Sequence, residues 1–355
     1  RASGCKTAKT PARIVLMLTG SSVVSFVKPV ILHFGDKPQS GIGRFCTYND
    51  AIRVAIALIQ AYSETGLHAE ALKKLAALES QVYSDANSLS DRDIKHLYFI
   101  ILPVLSNLRD DLAANSKFAK LIGALFAKQA DRTLELLPHK LDRFSQFQGD
   151  RDAGKSALLH NYLRVGIIAN FQSHLVGWFS VDVIQALAKL TPYLYLYAKS
   201  EFKEDDRTQI FTKIATKCNW QGEHWQHQQK VDPLKHLGNL IAEIERDNLD
   251  VLIDLDSLTT NGHPEILRRK PAHLCVSWLG FDAPFISSEN HCLGDRHTHP
   301  PGIDNYYLET ITRLPDVLIA MSGFPGLEID EKAKRKSLKI RNKISYISAW
   351  YQVTS

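Results

Sequence analysis

Apolar residues recur three and four apart from about Ala51 to Leu141, as in AIRVAIALIQAYSETGLHAEALKKLAAL, and this spacing predicts helices throughout the stretch. Gly66 separates two helical halves. Ile94–Leu108 and Leu112–Leu137 continue the helical pattern. The texture changes at Leu163. LRVGIIANF is an apolar run that reads as a buried strand, with Val165, Ile167 and Ile168 inside. QSHLVGWFSVDVIQALAKL reads as a loop running into a helix that ends near Thr191 and Pro192. YLYLYAKS is a second strand by its aromatic and leucine alternation. Thr208 to Lys217 and His236 to Asp247 read as helices. Val251 to Leu255 is a short apolar strand with aspartates at its end, and LDSLTTNGH is a turn. PEILRRKP is a helix ended by Pro271, and HLCVSWLG is another apolar strand.

Strands alternating with helices from 163 to about 320 predict a doubly wound, parallel α/β layer. The predicted fold class is thus α followed by α/β, a helical domain and then a Rossmann-like layer. Ligands of such sheets bind beyond the carboxyl ends of the strands, which puts Asp254, Asp256, Thr259, Thr260, Gly280 and Asp282 on the candidate functional edge. The polar, glycine-bearing run Ser145–Lys155 predicts a linker. The expected division is an unassigned segment at 1–48, a helical domain at 49–157, an α/β domain at 158–340 and a last piece at 341–355. In that last piece KISYISAWYQVTS reads as the opening of a further strand. Within the helical domain, Tyr62, Gly66, Ala69, Ala71 and Leu75 match one helix–turn–helix unit of a tetratricopeptide-type repeat. An ordinary helical domain is the alternative, because a single repeat is not stable alone.

Composition narrows the function classes. The chain has 355 residues, 45% of them hydrophobic and 23% charged, with a net charge of +5. No basic stripe interleaved with aromatics appears, which argues against nucleic-acid binding. The densest basic run, Lys332 to Lys343, reads as a solvated helix face or linker. Cys5, Cys46, Cys218, Cys275 and Cys292 are widely spaced and form no CxxC. A zinc site or disulfide framework is therefore not expected, and a reducing, cytoplasmic setting is. Ile14 to Phe34 is interrupted by Ser21, Ser22, Ser25, Lys28 and Pro29. It falls short of the roughly 18–20 apolar residues a spanning helix needs, and no signal-peptide cleavage pattern stands out.

Candidate chemistry lies in the loops. VGIIANFQSHLVGW lacks GxGxxG, so the nicotinamide-dinucleotide fingerprint is absent. His174 stands between the first strand and its helix, before Gly177. There it can act as a base or donate a hydrogen bond to a substrate, and capping the helix is its structural alternative. Asp254 and Asp256 share one side if their strand persists, which would suit acid–base or metal chemistry. If the strand has ended they cap the loop with Ser257 and Thr259, the simpler reading. HCLGDRHTH holds His291, Asp295, His297 and His299, but in no zinc spacing, and reads as a polar surface loop before Pro300 and Pro301. GxSxG, HExxH and Walker motifs are missing.

Four pieces occur in order: LRVGIIANFQSHLVGW, DVLIDLDSLT, RRKPAHLCVSWLGFDAP and NYYLETITRLPD. Together they resemble the C-terminal catalytic region of the O-linked N-acetylglucosaminyltransferase family, with its bacterial members and the SPINDLY-type fucosyltransferases. The resemblance covers roughly 163 to 320, and DLDSLT with KPA-x-x-x-x-SWLG are its most specific parts. It implies one Rossmann-like half of a GT-B glycosyltransferase, preceded by tetratricopeptide-like helices that hold acceptor proteins. The implied reaction is inverting transfer of N-acetylglucosamine from the donor UDP-N-acetylglucosamine to Ser or Thr, with no metal or other cofactor; by charge and hydropathy neither a nucleic-acid nor a membrane partner is expected. His174 matches the active-site histidine of the family's first strand–loop, its role left open. Trp278, Leu279, Gly280 and the loop from Phe281 to Ile286 match the family segment that lines the cleft, and with the strand-end residues the expected substrate-binding positions are Gly177, Asp256, Thr259, Trp278, Gly280 and Asp282. Two departures stand out. Gln172 and Ser173 precede His174 where bacterial relatives more often carry basic residues. The sequence also ends as the nucleotide-binding second half would begin, so the chain is expected to be a fragment that transfers no sugar by itself. A non-catalytic binding module and an O-fucosyltransferase using GDP-fucose are the alternatives.

Overall fold

The computed structural model describes residues 48–137, 162–169, 171, 175–198, 205–219, 232–256, 258–259 and 262–319. The expectations for 1–47, for Ser145–Lys155, for Lys332–Lys343 and for 341–355 lie outside the described residues.

The chain first builds a helical layer. Helices α1 (Tyr48–Glu64) and α2 (His68–Asp85) pack against each other across a tight turn, where Leu67 N–H bonds Tyr62 C=O at 2.8 Å. Gly66 takes φ +77° in that turn, a conformation that costs glycine little. Ala71, Leu75, Leu78 and Val82 form the buried stripe of α2, four and three residues apart. Helix α3 (Asp91–His96) starts at Ser90, whose Oγ accepts the Asp93 N–H. The helix expected over Ile94–Leu108 does not run unbroken. It passes through a π turn at Leu97–Ile101 and a 3-10 turn at Leu102–Val104 before α4 (Leu105–Leu108). Pro103 has no N–H to give the ladder, and its ring crowds the preceding turn. Helix α5 (Leu112–Glu135) follows, capped by Asp111.

Seven parallel strands then form one sheet: β1 (Val165–Ala169), β2 (Leu194–Ala198), β3 (Lys217–Asn219), β4 (Val251–Asp254), β5 (Leu274–Ser277), β6 (His291–Asp295) and β7 (Thr310–Leu314). Their order is β3-β2-β1-β4-β5-β6-β7. Strand β1 is buried along its whole length, as its unbroken apolar run predicts. Val165, Ile167 and Ala169 point into one core, shared with α6 (Leu175–Leu190) and α7 (Asp206–Ile214). Ile168 points into the other, with α8 (Pro233–Arg246) and α9 (Pro264–Arg269). The helical part plus a parallel, doubly wound sheet is the fold class the sequence predicts.

Three local expectations change. The helix over Thr208–Lys217 stops at Ile214, because Thr216 is captured by the edge of β2: its N–H bonds Leu194 C=O at 2.8 Å, and its Oγ1 accepts the Leu194 N–H. Lys217 then opens β3, with its ammonium on Asp247 and Glu243. HCLGD, expected in a surface loop, is strand β6. Finally, β5, β6 and β7 are joined without crossover helices, only a 3-10 turn at Asp304–Tyr306. The N-terminal helices cover that face instead. Tyr98, Phe118, Ile122 and Phe126 share a core with Ala283, Phe285, Ile286, Cys292 and Ile311. Tyr98 Oη donates to Pro284 C=O at 2.7 Å, and Arg268 pairs with Asp131 at 2.7 and 2.8 Å. Among the described residues no helix is long and apolar enough to cross a membrane.

Candidate functional site

Strand β1 lies between β2 and β4, so the connections leaving the carboxyl ends of β1 and β4 diverge there. Such a switch point opens a crevice at the strand ends. Its β4 side is a pinned turn. Leu255 N–H bonds Ile168 C=O at 3.0 Å, Trp278 N–H bonds Asp254 C=O at 2.9 Å, and Thr259 N–H bonds Asp256 C=O at 2.7 Å. The strand ends at Asp254, whose Oδ1 accepts the Asp256 N–H at 3.0 Å. The two carboxylates therefore do not sit as a pair on one strand face, and Asp254 caps the turn. Asp256 is buried and Thr259 half-buried. Ser257 and Thr260 lie outside the described residues.

On the β1 side, Phe171 is buried edge-on against Phe211 at 5.0 Å. Gln172, Ser173 and His174 lie outside the described residues. Gly177 is buried in the first turn of α6.

The segment after β5 carries unusual backbone. Leu279, Phe281 and Phe285 have φ of 68°, 67° and 53°, a left-handed region that non-glycine residues rarely occupy and that clusters at functional sites. Packing holds it there. Buried Trp278 donates Nε1–H to Leu318 C=O at 3.0 Å, bracing this segment against the loop beyond β7. Gly280 is buried, while Phe281 is 64% exposed. Asp282 turns toward β6 and the helical layer. Its Oδ1 accepts the Ala283 N–H at 2.8 Å and faces His299 Nε2 at 3.3 Å, and its Oδ2 accepts the Tyr307 hydroxyl at 3.2 Å. Trp278 thus stands beside the turn that carries Asp256 and Thr259, and Asp282 leans away to the neighbouring loops.

The histidine-rich run has a structural job. Asp295 ends β6 and accepts the N–H groups of His297 and Thr298 and the Thr298 hydroxyl, while its other oxygen takes the Leu318 N–H. These bonds, the Thr298 N–H foremost, hold its carboxyl well below the usual carboxylate range. His291 meets Thr312 across strands, and His299 lies against Tyr307. Among the described residues no group of His, Cys, Asp and Glu is placed to hold a metal ion. The bracing roles of Asp295, His299 and Tyr307 were not read from sequence. The only signal was an aspartate followed three residues later by a threonine, a turn-capping pattern.

A doubly wound α/β layer, roofed by helices and with a loop-built carboxyl edge, is the class of protein this fold defines. No family model matches the sequence. It is similar over 165 residues to SPINDLY proteins of Arabidopsis thaliana and Petunia hybrida, each described as a probable UDP-N-acetylglucosamine–peptide N-acetylglucosaminyltransferase. Identity is 22% and 23%, and the match covers 46% of this chain but 17% of each relative. A solved mutant of the Thermobaculum terrenum O-GlcNAc transferase aligns over 79% of this chain and 54% of its own, with 20% identity and a TM-score of 0.41. The chain carries a region similar to the O-GlcNAc-transferase and SPINDLY type.

Proposed function

We propose that this chain supplies the acceptor-side half of a glycosyltransferase that moves N-acetylglucosamine from UDP-N-acetylglucosamine to Ser or Thr of acceptor proteins. The observation that carries the reading is the switch point between β1 and β4, in a chain whose relatives are described as N-acetylglucosaminyltransferases. In the proposed step the acceptor hydroxyl oxygen bonds to the anomeric carbon. The bond from that carbon to the diphosphate oxygen breaks, UDP leaves, and the hydroxyl proton passes to a base or to water. We assign His174 to the reacting centre. Gly177, Asp256, Thr259, Trp278 and Gly280 are proposed to line the substrate side, the glycines letting backbone approach the ligand, and Asp282, turned toward His299 and Tyr307, to fix the segment that carries Gly280. The α1–α2 pair is proposed as the tetratricopeptide-like surface that presents the acceptor. Positioning and oriented N–H donors toward the leaving diphosphate supply the rate, with no metal ion.

The test is transfer of labelled N-acetylglucosamine by the full-length parent protein. His174→Ala is expected to lower kcat/KM by at least about 100-fold; activity within a few-fold of wild type removes His174 from the chemistry. EDTA is expected to leave the rate unchanged. Transfer from GDP-fucose but not from UDP-N-acetylglucosamine would establish the fucosyltransferase alternative. No transfer from either donor would leave protein binding as the function.

A further inference from the structure

The left-handed segment Leu279–Phe285 is clamped at its downstream end from several sides. Tyr98 of the π turn donates its buried hydroxyl to Pro284 C=O at 2.7 Å. Arg268 of α9 donates Nη1–H to Ile286 C=O at 3.3 Å. Glu309 Oε1 accepts the Ile286 N–H at 2.8 Å, and the Ser287 N–H lies 3.5 Å from the same oxygen. Asn290 N–H bonds Ser287 C=O at 3.3 Å and turns the chain into β6. Strained backbone persists only while its surroundings hold it, so these bonds matter to the segment.

Two oxygens of this clamp stand out. Glu309 Oε2 and Asn290 Oδ1 are buried and have no hydrogen-bond partner among the described residues. Asn290 Nδ2 donates to Leu267 C=O at 3.1 Å, which fixes the amide so that Oδ1 is its other end. The two residues are neighbours. His291 pairs with Thr310 across β6 and β7, and the Thr310 N–H bonds Asn290 C=O at 3.0 Å, so Asn290 and Glu309 enter these strands side by side. Two acceptors cannot satisfy each other, whereas one acid proton satisfies both. The surrounding groups offer Glu309 no counter-charge. Tyr98 spends its proton on Pro284, and burial pushes the Cys292 thiol of β6 up to about 12. Glu265 of α9 and Asp254 at the end of β4 are further carboxyl groups around Tyr98. Arg268 is bound by Asp131 of α5 at 2.7 and 2.8 Å, and Lys270 by Glu289.

We propose that Glu309 carries a proton on Oε2 and donates it to Asn290 Oδ1, and that this bond is a pH-operated latch on the segment leading away from the candidate site. Loss of that proton to solvent leaves a buried carboxylate facing an amide oxygen. The charge is hydrated only when the stretch from Pro284 to Asn290 lifts away. Burial pushes the Glu309 carboxyl up to about 7 in the closed segment. In the opened segment it ionises near the ordinary glutamate value. Opening therefore grows easier as pH rises from that value to about 7 and levels off above it. The consequence for activity rests on the transferase reading above; the latch itself does not.

The first test is spectroscopic. In the carbon-labelled chain, the Glu309 Cδ resonance is expected to titrate near neutral pH, and the Asn290 Cγ resonance to move with the same midpoint. Amide hydrogen exchange, corrected for the intrinsic effect of pH, is expected to show protection of Ile286 and Ser287 falling about tenfold between pH 6 and pH 8. These amides are expected to exchange faster than those of β1 and independently of dilute urea, the mark of local opening. Glu309→Gln, whose side-chain N–H makes the bond to Asn290 at every pH, is expected to hold that protection constant. An ordinary Glu309 titration, an Asn290 carbon that does not follow it, pH-dependent protection that survives Glu309→Gln, or exchange only together with β1 overturns the latch. The second test assays the full-length parent. There kcat/KM for transfer is expected to fall toward pH 8 in wild type and less so in Glu309→Gln. Transfer whose pH profile is the same in both overturns the coupling to activity. A working latch without any transfer overturns the transferase reading and leaves the latch standing.

Discussion

At the residue scale, Glu309 shows how burial turns a common side chain into a pH-dependent one. It is 3% exposed, just before β7, and its Oε1 accepts the Ile286 N–H at 2.8 Å. Burial pushes its carboxyl up to about 7 despite the backbone donors, which work the other way. Tyr98, Glu265 and Cys292 also face this interior. The sign follows from proton binding. The folded state holds the Glu309 proton up to about pH 7, whereas the unfolded chain releases it near the ordinary glutamate value. Folding stability from this group is therefore full at low pH and falls as pH rises through that window, by on the order of 3 kcal/mol. Glu309→Gln keeps the oxygen that accepts the N–H and removes the titration. Urea unfolding at pH 5 and pH 8 is expected to show a smaller loss across that range in Glu309→Gln than in wild type. Gly294 makes a different point. A Cβ there would run into the His299 ring, so its smallness is what seats His299 beside Asp282.

At the element scale, the helical layer and the sheet meet where side chains are small. A Cβ on Gly123 of α5 would collide with the Phe285 carbonyl oxygen and lie 2.8 Å from Phe285 Cβ. Phe285 is itself held at φ 53° and has little freedom to retreat. Gly123→Ala improves helix propensity but overpacks this junction. The expected net effect is a loss of about 1–3 kcal/mol, read as a lower urea midpoint at unchanged slope. The helix pattern around Gly123 was legible, because apolar spacing reports which residues a helix buries. What the helix packs against was not legible, since periodicity carries no information about the partner surface.

At the scale of the whole molecule, the helices replace the crossover helices that β5, β6 and β7 lack. Tyr98 and Phe126 stack at 4.0 Å within the same core as Phe285 and Ile311, so neither layer buries its apolar face alone. Helices and sheet are expected to unfold in one transition. All five tryptophans lie at Trp178 or later in the sequence, so tryptophan fluorescence has no probe within α1–α5, whereas far-UV circular dichroism senses those helices directly. Coincident urea curves by the two probes are the expected outcome; separated curves would mean two independently stable units.

The sequence alone determined what depends on near neighbours in the chain. Apolar runs marked β1, β4 and β5, aromatic and leucine alternation marked β2, three-and-four spacing marked α1, α2 and α5, and DLDSLT marked a turn at a strand end. These signals are local because a strand or helix displays its buried face within a few residues. Tertiary structure decided the rest. It made a strand of HCLGD, whose polar flanks hid a partner on either side. It ended the helix before Lys217, because the edge of β2 competes for Thr216. It placed Asp282 between His299 and Tyr307, residues 17 and 25 positions away. Side chains so distant in sequence meet only when strands β5, β6 and β7 line up in parallel, and no local pattern encodes that register.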